Sequence, residues 1–590
     1  MRRPFMILSG MWCCVTCRLK FLSWVLGAAC LTLSVHLASE QQAPAVPELS
    51  IRATTRLVTV DTIVTDADSR PVSGLTKEDF SVLEDGKPQK IAFFSFVAAE
   101  QKPAPPPPRL RPDVFTNRPE YHSANGPLVI LLLDGLNTPP TQQLYVHQQI
   151  MKYLTSLKLA GPGTAILALG NTLTVLQDFT TDPQLLLSAA KSYKRGRTAV
   201  DIESPKIEIP VTTGPGGGAP AQAHLPGSTA NDEAANVASQ TKPTNSFAEL
   251  AQSLKRFDSE VAANDENVRV RVTLEALRRI AHAVSGYPGR KNLIWFSDGF
   301  PISLALDQST DLDLYRPYHE QIRQTSAQLS DANVAVYPID ARGLITSPLA
   351  DPSSIGPPSQ AQSAPFAREF SRKATMNRLA DDTGGKVFYQ TNDLNGALQA
   401  AVNDAQSYYW LSYYPERKKW DGKFRTIKIV MTDHRLKVRH RTGYYAVDPA
   451  SWRKAGDEKL ISLSDLHALS NTGVLFYAHP IRPDKKGQDV TVELLIDPHT
   501  VSLENGSAYS TDLDFQIGAF TSDGKLAHLE SQTAKADELR PETYQQFLRS
   551  GIPARFQLAL KSGNYVLHVA VRDNTNGHIG SLEMPLQIEK

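Results

Sequence analysis

Cysteine is missing from almost all of this 590-residue chain. Its four cysteines lie within the first 30 positions, at Cys13, Cys14, Cys17 and Cys30. Thiol catalysis, cysteine metal sites and disulfides are therefore excluded further along. Excess charge is missing too, since 62 basic residues balance 61 acidic ones to a net charge of +1, and nothing in this balance indicates a nucleic-acid binder. The length, with 41% hydrophobic residues, predicts two to four domains stabilised by packed cores.

Several catalytic motifs are also absent from the sequence. It contains no Gly-x-Ser-x-Gly elbow, no Walker motif and no His-Glu-x-x-His pair. The glycine-rich stretch Gly214 to Gly218 lies in a low-complexity segment and not between a strand and a helix, which argues against phosphate binding. We therefore predict that the protein is not an enzyme.

Residues 1–39 have the pattern of an export signal. Small residues Ala38 and Ser39 follow an apolar run of 17 residues, Phe21 to Leu37. Four basic residues precede this run: Arg2, Arg3, Arg18 and Lys20. We predict a signal peptide cleaved near Ala38 or Ser39 and a periplasmic, cell-surface or secreted bacterial protein. A retained membrane anchor is the alternative, because the run approaches the length of a bilayer span.

Strand-like alternation dominates both ends of the mature chain. It predicts an N-terminal β-sandwich-like domain at 50–98, in which the Asp-Gly turn of Glu84 to Pro88 joins two strands. A proline-rich linker is predicted at 99–125. Further alternation predicts an antiparallel β extension at 408–446 and a C-terminal β-sandwich at 455–590.

The middle of the chain, residues 126–407, has a different pattern. Continuous apolar runs alternate with amphipathic stretches, which is typical of buried strands separated by helices. The predicted fold class is multidomain α/β plus all-β, with a doubly wound, mostly parallel, Rossmann-like sheet between the two β-sandwiches. Residues 200–245 are rich in Gly, Pro, Ala and Ser, and we predict a disordered insertion there.

Oxygen-bearing side chains follow two of the apolar runs. Asp134 ends the first run and is followed by Asn137 and Thr138, and Ser297 and Asp298 end a later run. Parallel strands bring their carboxyl ends to one edge, where sites of α/β sheets lie. Thr198 follows a predicted helix and completes a set of hard oxygen ligands of the kind that Mg²⁺ or Ca²⁺ prefers.

Four stretches together resemble a known family. They are VSGLTKEDFSVLEDGKPQKIAFFSF, LLLDGLNT, NLIWFSDGFP and YYWLSYYPE, in this order over about residues 50–446. The chain resembles von Willebrand factor type A domain proteins, and more closely the exported von Willebrand factor A-related proteins typical of acidobacteria. The resemblance implies a von Willebrand factor A-like domain at 126–407 with a metal-ion-dependent adhesion site.

The resemblance also implies a ligand set. In the adhesion motif Asp-x-Ser-x-Ser, Asp134 and Thr138 match and Leu136 does not, so Asn137 would replace the missing hydroxyl. Thr198 matches the threonine of the second loop and Asp298 the aspartate of the third. The implied function is cation-dependent protein binding or adhesion, in which a partner's acidic side chain completes the coordination of Mg²⁺ or Ca²⁺.

Two alternatives to the adhesion site remain open. Asp134 and Asp298 are also suited to capping the helices that follow them, which would leave a degenerate site in a metal-independent scaffold of an envelope assembly. Asp340 ends another apolar run on the same edge, where it either supports the ligands of the site or forms the turn before Ala341. A metal-assisted hydrolase would need a histidine beside the two aspartates, but His147 and His282 fall within helical patterns. No nucleic-acid partner is expected, and membrane contact only through an uncleaved signal.

Overall fold

Six β-sheets and seven α-helices make up the described part of the computed structural model. That part comprises residues 57–98, 108–121, 127–157, 161–193, 246–300, 316–343, 373–417, 419–447, 469–482, 489–505 and 508–589. All of these residues fall within one contact unit, Thr55–Lys590.

The strands and helices alternate only in the middle of the chain. The strands are β1 Val58–Thr65, β2 Phe80–Glu84, β3 Lys87–Gln89, β4 Ile91–Ala98, β5 Phe115–Thr116, β6 Leu128–Asp134, β7 Gly163–Leu169, β8 Leu173–Thr180, β9 Lys291–Ser297, β10 Val334–Asp340, β11 Ser407–Tyr413, β12 Phe424–Met431, β13 Lys437–Arg439, β14 Gly443–Tyr445, β15 Phe476–Ile481, β16 Val490–Ile496, β17 Glu504–Asn505, β18 Ala508–Tyr509, β19 Thr511–Thr521, β20 Leu526–Ala536, β21 Ile552–Leu558, β22 Gly563–Asp573 and β23 Ile579–Ile588. The helices are α1 Pro140–Ser156, α2 Pro183–Ser192, α3 Ser246–Val284, α4 Arg316–Asp331, α5 373–383, α6 Leu394–Gln406 and α7 Pro541–Ser550.

The first pair of sheets joins two distant parts of the sequence. One sheet has the order β13-β1-β11-β4 and the other β14-β12-β2-β3, and both contribute to one hydrophobic core. In the first sheet Val58 of β1 lies opposite Tyr413 of β11. Half of the strands in these two sheets come from 58–98 and the other half from 407–445.

A mixed five-stranded sheet occupies the middle of the molecule. Its order is β10-β9-β6-β7-β8, with three parallel strand pairs and one antiparallel pair, β7 with β8. All residues of β6, β9 and β10 are buried, because helices cover both faces. Successive side chains of β6 point to opposite faces, so that Ile130 packs with α3 on one face and Leu131 packs with α1 and α6 on the other.

The C-terminal sheets are both antiparallel. Their orders are β21-β16-β15-β5 and β20-β19-β22-β23, and they share one core; β17 and β18 form a separate short hairpin. Strand β5 comes from the segment predicted as a linker. Next to it, the buried Asn117 side chain donates to the carbonyl oxygens of Asn471 and Val474 at 2.7 Å each. These bonds attach residues 115–117 to the C-terminal sheets.

The predicted fold class is wrong. The sequence predicted a doubly wound, mostly parallel, Rossmann-like sheet between two β-sandwiches, whereas the described sheets are antiparallel except for the one mixed sheet. The physical reason is that apolar periodicity reports burial and element type, but neither the partner of a strand nor its direction. The subdivision into domains stays a prediction.

Two predicted segments fall outside the description. The signal peptide at 1–39 and the insertion at 200–245 both lie outside the described residues. Within the described ranges, none of the helices combines the length and the apolar character needed to cross a bilayer.

A buried lysine begins β9, at the end of the mixed sheet opposite Asp134. Lys291 is 1% exposed, and its Nζ donates to the carbonyl oxygen of Tyr287 at 2.6 Å. Burial lowers the pKa of Lys291 to about 7, although the nearby Asp61 carboxylate opposes this shift. The ammonium form is thus disfavoured in the folded protein.

We expect Lys291→Met to remove a pH dependence of stability. Between pH 7 and the ordinary lysine pKa, the unfolded chain binds a proton that folded Lys291 does not, so the free energy of unfolding rises with pH in this window. Urea unfolding of the wild type at a series of pH values should show the rise, and Lys291→Met should flatten it and be more stable near pH 7. The exposed Lys525→Met is the control, and an unchanged slope in Lys291→Met would contradict the expectation.

Candidate functional site

The carboxyl ends of three neighbouring parallel strands form the candidate site. Strand β9 lies between β6 and β10, and Asp340 at the end of β10 is in register with Ser297 at the end of β9. Asp134 ends β6, one residue beyond the pair Leu133 and Phe296. The structure therefore brings the polar ends of these strands to one edge.

Asp134 is buried and accepts hydrogen bonds at both carboxylate oxygens. Its Oδ1 accepts from the backbone N–H of Asn137 at 2.9 Å and from Asn137 Nδ2 at 3.2 Å. Its Oδ2 accepts from Asn137 Nδ2 at 2.9 Å, Trp295 Nε1 at 3.0 Å and Ser297 Oγ at 2.8 Å. A carboxylate has about four lone-pair sites, so these hydrogen bonds occupy all the acceptor sites of Asp134.

Burial and hydrogen bonding act on Asp134 in opposite directions. Desolvation raises the pKa of its carboxyl group above the ordinary value, while the donors from Asn137, Ser297 and Trp295 lower it. Burial has the larger effect. The donors make the buried position tolerable, because an ionised carboxylate without partners would be far more costly there.

The turn after β6 is fixed by side chains. Asn137 Nδ2 also donates to Thr273 Oγ1 of α3 at 2.9 Å, and the backbone N–H of Asp298 donates to Thr138 Oγ1 at 3.2 Å. Gln143 Nε2 donates to the carbonyl oxygens of Gly135 and Thr138 at 3.2 and 2.7 Å. Asn137 and Thr138 are thus buried links between the turn, α3 and the β9 loop.

Leu136 occupies the position where the adhesion motif has a hydroxyl. It is 3% exposed and belongs to the hydrophobic core under α3 and α4. Packing explains a leucine here, since the side chain points into the core and a polar group would have to be satisfied there.

Arg342 was not identified from the sequence, yet it connects two acidic residues of the edge. Its Nε lies 2.7 Å from Asp298 Oδ1 and 3.0 Å from Asp340 Oδ1, and its Nη2 lies 2.9 Å from Asp340 Oδ2. The backbone N–H of Arg342 also donates to Asp340 Oδ1 at 3.0 Å. The three side chains are 16%, 14% and 3% exposed for Arg342, Asp298 and Asp340, so this is a mostly buried ion-pair group.

Four of the five predicted site residues lie together at the strand edge. Asp134, Asn137 and Thr138 are hydrogen-bonded to one another or to the β9 loop, and Asp298 joins them through its backbone and pairs with Arg342. Thr198 lies outside the described residues. The one sequence signal for Arg342 was its position two residues after Asp340, a candidate on the same edge.

Most oxygen atoms of the predicted cation site already have partners, and the divalent cation stays a prediction. Asp134 accepts hydrogen bonds at both carboxylate oxygens, Leu136 has no ligand atom, and Asp298 lies against a guanidinium. Asn137 Oδ1 is buried and accepts no hydrogen bond from the described residues. Across the described ranges, no group of three or more His, Cys, Asp or Glu side chains is arranged to hold a metal ion. The arrangement can neutralise charge and fix loops without a cation.

Comparison with known proteins gives no family. No family model matches the chain, and no curated protein matches it. An aerotolerance-related membrane protein from Bacteroides fragilis matches at 10% identity and a TM-score of 0.22, over 48% of this chain and 98% of its own. The conserved hypothetical protein BatB from Bacteroides thetaiotaomicron matches at 11% identity and a TM-score of 0.20, over 47% and 97%.

A third solved structure comes from outside bacteria. Proximal thread matrix protein 1 from the mussel byssus matches at 8% identity and a TM-score of 0.23, over 48% of each chain. At such identities and scores these likenesses carry no conclusion about what this chain does.

We expect Asp134→Ala to destabilise the fold. The substitution leaves Trp295 Nε1, Ser297 Oγ and the Asn137 amide without their buried acceptor, at a cost of about 2–4 kcal/mol in the free energy of unfolding. Urea unfolding followed by tryptophan fluorescence measures this loss. Asp182→Ala is the matched control, because Asp182 accepts one bond, from the N–H of Gln184 at the start of α2. A loss for Asp134→Ala no larger than for Asp182→Ala would contradict a structural role of the carboxylate.

Proposed function

We propose that this chain is an exported, non-catalytic bacterial envelope protein that acts through protein–protein contact and needs no metal at the strand edge. It is then a binding or scaffold protein. The observation that carries this proposal is the guanidinium of Arg342, which lies against both Asp298 and Asp340.

A guanidinium places positive charge beside the carboxylates, as a bound cation would. It offers a fixed fork of donors to carboxylate oxygens, and it remains protonated at all physiological pH values. With Arg342 in place, part of the negative charge of Asp298 and Asp340 is compensated from within the chain. Contact with a partner then does not require an acidic side chain to complete a coordination shell.

The sequence supports the location. The basic residues, apolar run and small residues of 1–39 favour export, and the resemblance to exported von Willebrand factor A-related proteins favours the same compartment. Cysteine-free cores suit this location as well, because they do not depend on the redox state outside the cytoplasm.

The alternatives have less support from the structure. Cation-dependent adhesion needs a carboxylate with free lone pairs, and Asp134 has committed its own. A metal-assisted hydrolase needs a histidine at the edge. His147 instead contacts the carbonyl oxygen of Ala190 between α1 and α2, and His282 lies nine residues beyond Thr273 in α3, about 14 Å further along the axis.

We expect the folded wild-type protein, from residue 40 onward, to show no saturable heat of binding with Mg²⁺, Ca²⁺ or Mn²⁺. The reason is that the carboxylates of the edge already have hydrogen-bond or ion-pair partners. Isothermal titration calorimetry measures this directly. Saturable binding by the wild type that disappears in Asp298→Ala would overturn the proposal and restore the cation-dependent adhesion site.

Binding of partner proteins should likewise persist when EDTA removes divalent cations. Chemical cross-linking on intact cells that produce the protein should give the same higher-mass species with and without EDTA. Loss of these species on adding EDTA, with recovery on adding Mg²⁺ or Ca²⁺, would contradict metal-independent contact.

We expect Arg342→Ala to create a need for a cation. Removing the guanidinium leaves Asp298 and Asp340 close together without a counter-charge, which should cost about 3 kcal/mol in the free energy of unfolding, the lower end of the range for buried pairs. Mg²⁺ or Ca²⁺ should then raise the melting temperature of Arg342→Ala and leave that of the wild type unchanged. Arg435→Ala, which breaks an exposed pair with Asp433, should show neither effect. Equal responses of all three proteins to cations would count against the role given to Arg342.

A further inference from the structure

A small polar cavity lies where the first pair of sheets meets the mixed sheet. Thr59 and Asp61 of β1 line it together with Arg441, which lies between β13 and β14. On the side of the mixed sheet it is lined by Arg290, which precedes β9, and Asn333, which precedes β10. The centre of a water-sized sphere has about 10 Å³ available there, so a particle somewhat larger than water also fits.

Arg441 brings a positive charge to this cavity and forms no ion pair among the described residues. Its Nη2 donates to the carbonyl oxygen of Thr59 at 2.6 Å, whereas its Nε is buried and has no acceptor. Burial lowers the pKa of Arg441, although Asp331, Tyr413 and Asp61 oppose this shift. Asp331 is exposed, so water screens its charge. The guanidinium of Arg441 is therefore costly where it lies unless a counter-charge reaches it.

Arg290 adds a second guanidinium on the opposite wall of the cavity. Its Nε and Nη2 donate to Asn292 Oδ1, the Tyr337 hydroxyl and the carbonyl oxygen of Gly384. Its Nη1 lies 3.9 Å from Asp61 Oδ2, which is too far for a hydrogen bond. Since Asp61 also lines the cavity, Nη1 is the nitrogen of Arg290 that is placed to donate into it.

Positive charge exceeds negative charge among the residues that line the cavity. The two guanidinium groups face one carboxylate, that of Asp61, whose side chain is 8% exposed. Burial raises the pKa of Asp61, while Arg290, Arg441 and Lys291 lower it. Burial has the largest effect, so the charged form of Asp61 is itself disfavoured. The carboxylate therefore does not fully balance the two arginines.

Neutral donors lie at the same cavity. The side-chain amide of Asn333 carries two N–H donors, and it makes no hydrogen bond with the described part of the chain. Thr59 Oγ1 shares a hydrogen bond of 3.2 Å with Ser412 Oγ, in which either hydroxyl is able to donate. When Ser412 donates, the proton of Thr59 is available. Donors from four side chains thus surround a space for one particle.

We propose that this cavity binds a single small anion such as chloride between Arg290 and Arg441. The ion supplies the counter-charge that Arg441 lacks, and the N–H groups of the arginines and Asn333 replace its water shell. A water molecule would accept the same hydrogen bonds but would leave the excess charge uncompensated. Since Arg441 belongs to the first pair of sheets and Arg290 adjoins the mixed sheet, the ion joins these two parts of the molecule.

This anion site goes beyond the proposed function and is separate from the strand edge. It lies at the opposite end of the mixed sheet and uses no residue of the Asp134 or Arg342 groups. A failure of anion binding and a failure of cation independence are therefore separate results.

The first test is thermal unfolding of the chain from residue 40 while sodium chloride replaces sodium gluconate at constant ionic strength. Constant ionic strength keeps general screening unchanged, and gluconate is too large for the cavity. We expect chloride to raise the melting temperature of the wild type in a saturable manner, because a ligand that binds the folded state stabilises it. A melting temperature that does not change, or that changes without saturation, would overturn the proposal.

Two variants should shift the chloride response in opposite directions. Arg441→Gln should abolish the saturable rise, because it removes the charge that has no ion-pair partner. Asp61→Asn should lower the chloride concentration at half effect by about tenfold, because it removes the carboxylate beside the ion. Circular dichroism checks that each variant is folded.

Arg417→Gln is the matched control. It removes a guanidinium that pairs with Asp85 at the surface and does not line the cavity, so it should respond to chloride as the wild type does. A saturable rise that survives in Arg441→Gln would contradict the proposal. A weaker chloride response of folded Asp61→Asn would contradict it as well, even if Arg441→Gln does not fold.

A crystal grown in sodium bromide locates the ion directly. Bromide scatters X-rays anomalously and water does not. We expect an anomalous peak in the cavity between the guanidinium groups of Arg290 and Arg441. Density in the cavity without an anomalous peak would show that it holds water only, and the proposal would fall.

Discussion

The hydrogen-bonded carboxylate of Asp134 is the interaction on which the carboxyl edge of the mixed sheet depends. A strand buried on both faces must end somewhere, and at its end the chain has to leave the core with its polar groups satisfied. Asp134 meets this requirement at the end of β6. Its hydrogen-bond donors come from the turn before α1 and from Trp295 and Ser297 of β9, so the carboxylate joins these three elements. Through Asn137 and Thr273 the same group reaches α3.

The opposite end of the sheet follows the same rule with basic residues. Arg290, 3% exposed, donates to Asn292 Oδ1 at 3.0 Å, the Tyr337 hydroxyl at 2.9 Å and the carbonyl oxygen of Gly384 at 2.6 Å. Its backbone N–H donates to the hydroxyl of Tyr408 in β11 at 3.0 Å. The mixed sheet is therefore joined to the first pair of sheets by buried polar contacts, and each end of the sheet has a charged group with partners supplied by the chain.

Part of this architecture could be read from the sequence. The stretches PLVILLLD, NLIWFSDG and VAVYPID were predicted as buried strands because of their apolar runs, and β6, β9 and β10 lie there. The pairing of Val58 with Tyr413 was not predictable, because the two residues are 355 positions apart and alternation does not identify a distant partner. The predicted fold class was wrong for the same reason, because the sequence pattern does not show which strands pair or in which direction. The acidic residues of the site were predicted from the sequence, but the residues that pair with them were not. Asp134 and Asp298 stand out because each carboxylate interrupts an apolar run, whereas the role of Arg342 depends on how the loop after β10 folds back toward β9.

Helix α3 is fixed both by the core and by the carboxyl edge of the mixed sheet. From Val270 onward the helix is held by the core, and Thr273 ties it to a carboxyl edge whose carboxylates already have hydrogen-bond or ion-pair partners. New bonds to these carboxylates would have to replace existing ones, which limits the free energy that they can offer a partner. The strand edge therefore serves to hold α3, the turn before α1 and the loop after β9 in fixed positions.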